Sequence, residues 1–526
     1  MLTSDMRSHA VMLVLLLLVA GCTKLGPDYV RPETAVLTNW EEGGTGVTNE
    51  TADYHAWWRV FHDPVLDRII DVALRQNLSL RLAGVRVLEA RAHLGIAAGQ
   101  LYPQTQQGFG SLQYNRESAN SSLAPLSAGR YTYAQDEMGL NASWEIDFWG
   151  KFRRAVESAD ASWLASVADY DNALVSLASD AATDYIAIKT LEKRIEIARN
   201  NVTTQQNNLE ISEARFEYGT ATERDVEQAT TNLHDTEATV PALQTQLQQT
   251  KHALSILLGL PPGNLTDMLA GSSGIPVPPP QVAVGIPEDL LRRRPDVRSA
   301  EYRAMAQGAQ IGVARADLFP AFSLSGSFSL LSTNVGGAAL GNIFQWASRD
   351  YVAGPGMTWN IFNYGRLANN VRVQDARFQE LLIAYQNTVL TAQQNVEDAI
   401  VAFIRSQERA ELLARSTEAA TGSLTHAVDQ YRAGTTDFTT VLVGQQSLLS
   451  EQDNFVSTLG AVAVNLVAIY RALGGGWEIR EETDIVPPEV KNIMAKRTNW
   501  GNLLDPAAYM PPPEEERRPD VRRPDW

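Results

Sequence analysis

One cysteine, Cys22, occurs in 526 residues, so no disulfide within the chain is possible and no second thiol is available as a nucleophile. Histidines are few and scattered: His9, His55, His62, His93, His234, His252 and His426 have no second ligand at metal spacing. No glycine-rich phosphate loop precedes a suitable helix. Positive charge is in deficit, with 44 Lys and Arg against 61 Asp and Glu and a net charge of −17, which argues against nucleic acid as a partner. Glu145 and Asp147 imitate a catalytic carboxylate pair, but strand alternation places both on one wet face. These absences point away from an enzyme and away from any bound cofactor or metal.

What is present is a change of side-chain period without a break. From Met138 to Phe148 the even positions read Met, Leu, Ala, Trp, Ile, Phe, and the odd positions Gly, Asn, Ser, Glu, Asp. That alternation is a two-faced β-strand. After Gly150 the apolar residues Trp163, Val167, Tyr170, Leu174, Leu177, Ala181, Tyr185 and Ile188 step by threes and fours, the seam of a coiled coil. A barrel-type strand is joined end-on to a very long helix. The join recurs: Trp144 to Lys151 is echoed by Trp359 to Arg366, Phe216 to Thr220 by Tyr431 to Thr435, and Leu258-Gly259 by Leu473-Gly474, each 215 residues on. Three anchors at one offset read as an internal duplication.

In chain order, Val11 to Ala20 is an apolar run of signal-peptide length, too short to span a bilayer. Leu18-Val19-Ala20-Gly21-Cys22 resembles the lipobox of bacterial lipoproteins, with residues 1–21 as signal peptide and Cys22 as the lipid-bearing residue. Residues 22–62 read as an extended lead-in. A first repeat spans 63–262, with strands at 104–116 and 131–149 and a helical hairpin turning at Gly219. Residues 263–285 form a Pro-rich linker. A second repeat spans 286–478, with strands at 321–331 and 351–363 and a hairpin turning at Gly434. Residues 479–526 are a tail, partly disordered, and the Pro, Glu and Arg content from Pro511 to Trp526 supports that. The basic run Arg292-Arg293-Arg294 reads as a solvated helix entry.

The first long helix carries no Gly or Pro from Lys151 to Tyr218. At 1.5 Å per residue it extends about 100 Å, some three times the hydrocarbon thickness of a bilayer. It is amphipathic and rich in polar residues, so it stands in water. Thr222 with Asp225, and Asp437, sit where N-caps belong after each turn.

Four membrane-grade strands cannot close a barrel, since about eight is the practical minimum. Only a closed barrel satisfies strand backbone in lipid, so the chain must pool strands with copies of itself. Two copies give eight and three give twelve, and sequence physics does not choose between them. Ser323 to Ser329, with Asn141, Ser143, Glu145 and Asp147, would line a wet lumen. Trp144, Phe148, Trp149, Trp359 and Tyr364 sit at the strand-to-helix end, where an aromatic interfacial belt belongs.

At this point the chain resembles the TolC-type outer membrane factor family, in its NodT-like branch of outer-membrane efflux lipoproteins. The resemblance rests on Cys22 with Gly26-Pro27-Asp28-Tyr29, Trp57-Trp58 with Asp63-Pro64, Trp144 to Lys151, Ile286-Pro287 with Leu290 to Glu301, and Tyr431 to Leu442. It implies an α+β membrane protein. That is a homotrimer whose twelve-stranded outer-membrane barrel, four strands per protomer, continues into a periplasmic tunnel of twelve helices. It further implies a periplasmic adaptor (membrane fusion protein) and an inner-membrane RND-type pump as partners, outer-membrane lipid around the barrel, and a lipid on Cys22 as the only covalent addition. Gly219-Thr220 and Gly434-Thr435 match the turns that meet the adaptor. The family's closed constriction is commonly acidic; the matching positions here are Thr440 and Val443, leaving Asp225 and Asp437 as further gate candidates. The competing reading of the same helices is a non-conducting coiled-coil lipoprotein, a scaffold or adhesin.

Overall fold

A computed structural model describes residues 24–41, 47–48, 54–116, 118, 120, 132–263, 265–271, 274–285, 287, 293–334, 340–481 and 484–512. Cys22 and the signal segment lie outside these residues.

Asp63 accepts from Val65 N at 2.8 Å and Leu66 N at 3.3 Å, and Pro64 supplies a preset φ, so a helix starts here. This is α1 (Pro64–Gln76), followed across Asn77 by α2 (Leu78–Gly99). Strands β1 (Thr105–Arg116) and β2 (Thr132–Ile146) come next, then the long helix α3 (Lys151–Glu217) and its return α4 (Glu223–Leu257). The order then recurs as α5 (Pro295–Ala316), β3 (Ala321–Thr333), β4 (Arg349–Thr358), α6 (Arg366–Arg432) and α7 (Phe438–Ala472). The lengths match pairwise: 22 residues for α2 and α5, 67 for α3 and α6, 35 for α4 and α7. Another helix, α8 (Pro488–Arg497), lies in the C-terminal segment, followed by a single turn at Pro506–Tyr509.

The four strands form one antiparallel sheet in the order β1-β2-β3-β4. Leu140 lies opposite Gly108 on one side and Phe328 on the other, and Phe328 lies opposite Tyr351. One face therefore carries Met138, Leu140, Trp144, Leu324, Phe328, Tyr351 and Met357, and the other Asn141, Ser143, Glu145, Ser323, Ser325 and Ser327. Among the described residues β1 and β4 each have a strand partner on one side only.

The main core runs along α3 from Val156 to Ile188 and takes in the C-terminal ends of α4 and α7. Trp57 stacks on Tyr470 with centroids 5.2 Å apart, and Trp163, Tyr185, Phe403, Leu66 and Ile69 are fully buried around it. A smaller cluster of Ala229, Leu424, Ala427, Tyr431, Phe438, Val441 and Leu448 packs near the hairpin tips. Between them the seam is polar, with Asn201, Gln205, Asn208 and Ser212 buried on α3. The return helix α7 is the one described helix long and apolar enough to cross a membrane, yet much of it is buried against α3 and α6.

Several boundaries differ from the sequence reading. β2 ends at Ile146 rather than 149, and β4 at Thr358 rather than 363. The chain breaks from the sheet where Phe148 N turns back to Ile146 O at 2.7 Å and Ile361 N to Trp359 O at 3.1 Å. Much of the tail 479–526 is folded onto the body. Ile485, Val486, Met494 and Tyr509 are buried, Trp163 Nε1 donates to Tyr509 O at 3.1 Å, and Arg91 Nε to Ala508 O at 2.8 Å. Residues 513–526 lie outside the described residues. The solvated reading of the basic run also fails at Arg293 and Arg294, while Arg292 lies outside the described residues. Arg294 is buried and donates to Ala472 O at 2.5 Å, capping the end of α7, while Arg293 pairs with Glu478 and lies 4.5 Å over Tyr54.

Nearby, Arg480 Nε reaches Asp171 Oδ1 at 2.5 Å and ties the C-terminal segment to α3. Burial pushes the Asp171 carboxyl up to about 6, against the pull of Arg480 and Arg298.

Candidate functional site

Two regions hold the residues singled out in the sequence: the hairpin tips and the neck where strands become helices.

At the tips the two turns are built alike. Gly219 (φ 72°) and Gly434 (φ 75°) occupy the left-handed region that ends a helix. Thr220 N donates to Arg215 O at 2.8 Å and Thr435 N to Gln430 O at 2.9 Å, and each threonine hydroxyl donates to the same carbonyl at 3.0 Å. The Gln430 carbonyl is thus held by two donors, and the Arg215 carbonyl by a third as well, Ala221 N at 3.2 Å. The return helices start with caps. Thr222 and Asp225 form a reciprocal capping box, with Thr222 N to Asp225 Oδ2 at 2.9 Å and Asp225 N to Thr222 Oγ1 at 3.3 Å. Asp437 Oδ1 accepts from Thr440 N at 3.1 Å and from Thr440 Oγ1 at 3.0 Å. Asp225, Asp437 and Thr440 are thus turned onto their own helix starts, and Asp225 is buried. Val443, one turn further along α7, is exposed. The four gate candidates split into two capping carboxylates, a threonine bonded to one of them, and one bare apolar side chain.

Arg215 was not among the sequence candidates. It stands in the last turn before Gly219, where a cation suits the helix end, and it crosses to the second hairpin. Its guanidinium lies 4.5 Å from the Tyr431 ring centroid and donates to Tyr431 O. Tyr431 in turn packs edge-on against Phe438 with centroids 5.5 Å apart. Sequence offset pairs Arg215 with Gln430, so the repeat gives no hint of this cross-link.

At the neck the tryptophans have a job that periodicity did not show. Trp144 Nε1 donates to Leu101 O at 3.1 Å, and Trp359 Nε1 to Leu318 O at 3.0 Å. Each indole satisfies a carbonyl just past the end of a 22-residue helix, α2 or α5. Trp149 Nε1 donates to Pro320 O at 2.8 Å, and its ring lies 4.8 Å from Phe148 and 4.8 Å from Phe319. Tyr364 is different: fully exposed, with φ 48°. The neck also encloses a cavity of about 300 Å³ lined by Glu145, Asp147, Phe148, Trp149, Lys151 and Asp317. Lys151 there holds Asp317 at 2.9 Å and Glu145 at 3.7 Å. Asp147 accepts from Phe152 N and Arg153 N, both at 3.0 Å, and so caps α3. The carboxylate pair is occupied by structural partners.

Lys24 is the first described residue, and it is fastened at this neck. Leu25 N donates to Trp149 O at 3.1 Å, Lys24 pairs with Glu157, and Arg154 donates to Leu25 O at 2.9 Å and Asp28 at 2.8 Å. The strap then crosses to the second half, where Arg31 takes Glu301 in two bonds of 2.6 and 2.8 Å.

The sequence profile described as outer membrane efflux protein matches this chain twice, over residues 69–260 and 286–475. Nodulation protein T of Rhizobium leguminosarum bv. viciae is 31% identical over 495 residues, covering 94% of this chain and 98% of that protein. The pyoverdine export outer membrane protein OpmQ of Pseudomonas putida is 31% identical over 477 residues, covering 90% and 99%. Among solved structures, the outer-membrane channel OprN superposes with a TM-score of 0.80 at 32% identity, over 86% of this chain and all of that one (100%). CusC superposes with a TM-score of 0.73 at 27% identity, over 86% and 100%.

Proposed function

The chain belongs to the outer membrane efflux protein family, and we propose from that membership a role as the passive exit duct of a tripartite efflux system. It is an outer-membrane efflux protein, and no step in that work requires catalysis or a cofactor. The observation that carries the reading is the sheet, with one apolar face, one polar face and, among the described residues, two unpartnered edges, joined end-on to helices of 67 residues. In lipid such edges must be paired, which a ring of copies achieves.

Three copies give a twelve-stranded barrel and a twelve-helix tunnel. The matching halves of the chain, read as a duplication, then make each protomer two equal sectors of one tube. The polar strand face lines the lumen, and the apolar face meets outer-membrane lipid. The long helices carry the conduit through the periplasm, about 100 Å at 1.5 Å per residue. At the far end Gly219-Thr220 and Gly434-Thr435 present rigid, exposed turns to a periplasmic adaptor, which couples the duct to an inner-membrane RND-type pump. Diacylglycerol on Cys22 would enter the membrane beside the neck, because Leu25 is already bonded to Trp149. One lipid-bearing terminus assists anchoring, and the barrel supplies the rest.

Deleting the gene is expected to sensitise cells to compounds that the paired pump exports, with rescue by the wild-type chain. Rescue that survives removal of both hairpin turns would sink the docking assignment.

A further inference from the structure

The two halves of the chain are joined to each other in a defined way, and that internal junction specifies an external one. Corresponding residues lie 215 apart in β2 and β4, as Trp144 in β2 and Trp359 just past the end of β4 show, and in α3 and α6. They lie 217 apart in α2 and α5, which begin at Leu78 and Pro295. Between β1 and β3 the offset is 216, because β1 starts two residues after Pro103 while β3 starts directly after Pro320. The observed registers agree with these offsets. Gly108 faces Leu140, and their counterparts Leu324 and Pro355 face each other.

Inside the chain β2 pairs with β3, Gly139 opposite Ser329 and Leu140 opposite Phe328. Its α3 packs against α5, with Ser299 Oγ bonded to Asp169 at 2.6 Å and Gln310 Nε2 to Ser158 at 2.7 Å. The counterparts of β2 and α3 are β4 and α6; those of β3 and α5 are β1 and α2. Among the described residues of one copy, β4 and β1 are the two open edges. Applying the offsets turns Gly139–Ser329 into Gly354–Gln113, and Leu140–Phe328 into Pro355–Leu112. The helix pairs become Ala384 with Leu82 and Val373 with His93. Leu82 is 53% exposed, Ile383 beside Ala384 is 55% exposed and Val373 is 46% exposed. Leu82 and Val373 fall on positions where the internal junction makes its hydrogen bonds, and Ile383 lies beside one. A second junction, Arg471 to Asp180 at 2.8 Å, maps to Ile256 with Asn395, and Ile256 is 60% exposed.

We propose that the β4 edge of one copy pairs antiparallel with β1 of a second copy, Gly354 opposite Gln113, while α6 of the first lies against α2 of the second, Ala384 opposite Leu82. The contact is head-to-tail, so repetition closes a ring. The inference rests on the duct reading for the existence of the assembly, and adds its register.

Disulfide trapping tests it in the purified full-length protein. Residues directly opposite across strands have Cβ atoms about 5 Å apart, while those displaced by two lie about 7–8 Å away, beyond easy disulfide reach. Oxidising Gln113→Cys with Gly354→Cys is expected to give a reducible covalent oligomer. Its yield should be roughly tenfold above Ser111→Cys or Asn115→Cys combined with Gly354→Cys. Leu82→Cys with Ala384→Cys tests the helical half independently, should a strand variant fail to assemble. A ring-sized oligomer that traps best at a displaced strand pair overturns the register. A chain that stays monomeric by native mass, with no trapping at either pair, overturns the assembly itself.

Discussion

Arg215, in the last turn of the first long helix, holds Tyr431, in the last turn of the second. The guanidinium donates to the Tyr431 carbonyl oxygen and lies 4.5 Å from the ring centroid. A charged hydrogen bond and a partly buried cation–π contact together contribute about 2 kcal/mol. Arg215→Ala is therefore expected to loosen the tips without unfolding the body. Amide exchange around Gly219 and Gly434 should rise by more than about tenfold while exchange around Trp163 stays unchanged. Arg215→Lys should fall between, since lysine keeps the charge and loses the planar fork.

The tip glycines can be tested by strain alone. An L-residue in the left-handed region costs about 1–2 kcal/mol, and a Cβ at Gly219 meets no atom within 4 Å. Gly219→Ala and Gly434→Ala should leave the rest of the fold intact and weaken capture of the cognate adaptor by about tenfold each, read by co-purification or titration. Unchanged capture in the double variant would remove the turns from the docking surface.

At the neck, replacing Trp144 or Trp359 by Phe keeps an aromatic ring and deletes one donor. The Leu101 or Leu318 carbonyl then loses its indole partner, at a cost of about 1 kcal/mol. Trp144→Phe should cost more than Trp359→Phe, because Trp359 is 49% exposed and water replaces part of the loss. Thermal melts of the two variants decide the order.

Asp184 on α3 gives a pH prediction. Burial, reinforced by Asp180, raises its carboxyl to about 6 from the ordinary 3.8. A raised carboxylate pKa means the folded chain holds the proton more tightly than the unfolded chain. The penalty is absent below pH 3.8, grows as pH rises from there to about 6, and is fully present above that. Asp184→Asn should therefore stabilise the protein at pH 8 by about 1 kcal/mol, after allowance for solvent screening, and have little effect at pH 4. Stabilisation equal at both pH values would contradict the assignment.

The parts written in local periodicity were legible in the sequence. Alternation over Met138 to Ile146, the three-and-four spacing from Trp163, and the glycines at 219 and 434 each reflect a constraint imposed by near neighbours in the chain. What the sequence did not show depends on partners far away. Arg294 looked like a solvated cation because its acceptor, the Ala472 carbonyl, is 178 residues distant. The segment from Ile485 to Tyr509 has too few apolar residues to show a period, yet Ile485, Val486, Met494 and Tyr509 are buried against the helices. The sequence offers Asp225 and Asp437 as both caps and gate candidates, and in the structure both serve as caps. Arg215 carries no motif at all; only the crossing of the two hairpins gives it a role.

The central claim is that copies of this chain form an open-ended conduit through a membrane. Single-channel recording of the purified, lipid-modified protein in planar bilayers tests it most directly. Discrete conductance steps are expected, with a larger open fraction in Arg215→Ala than in the wild type. Membrane-inserted protein that passes no current in either form would contradict the account and leave a coiled-coil lipoprotein in its place.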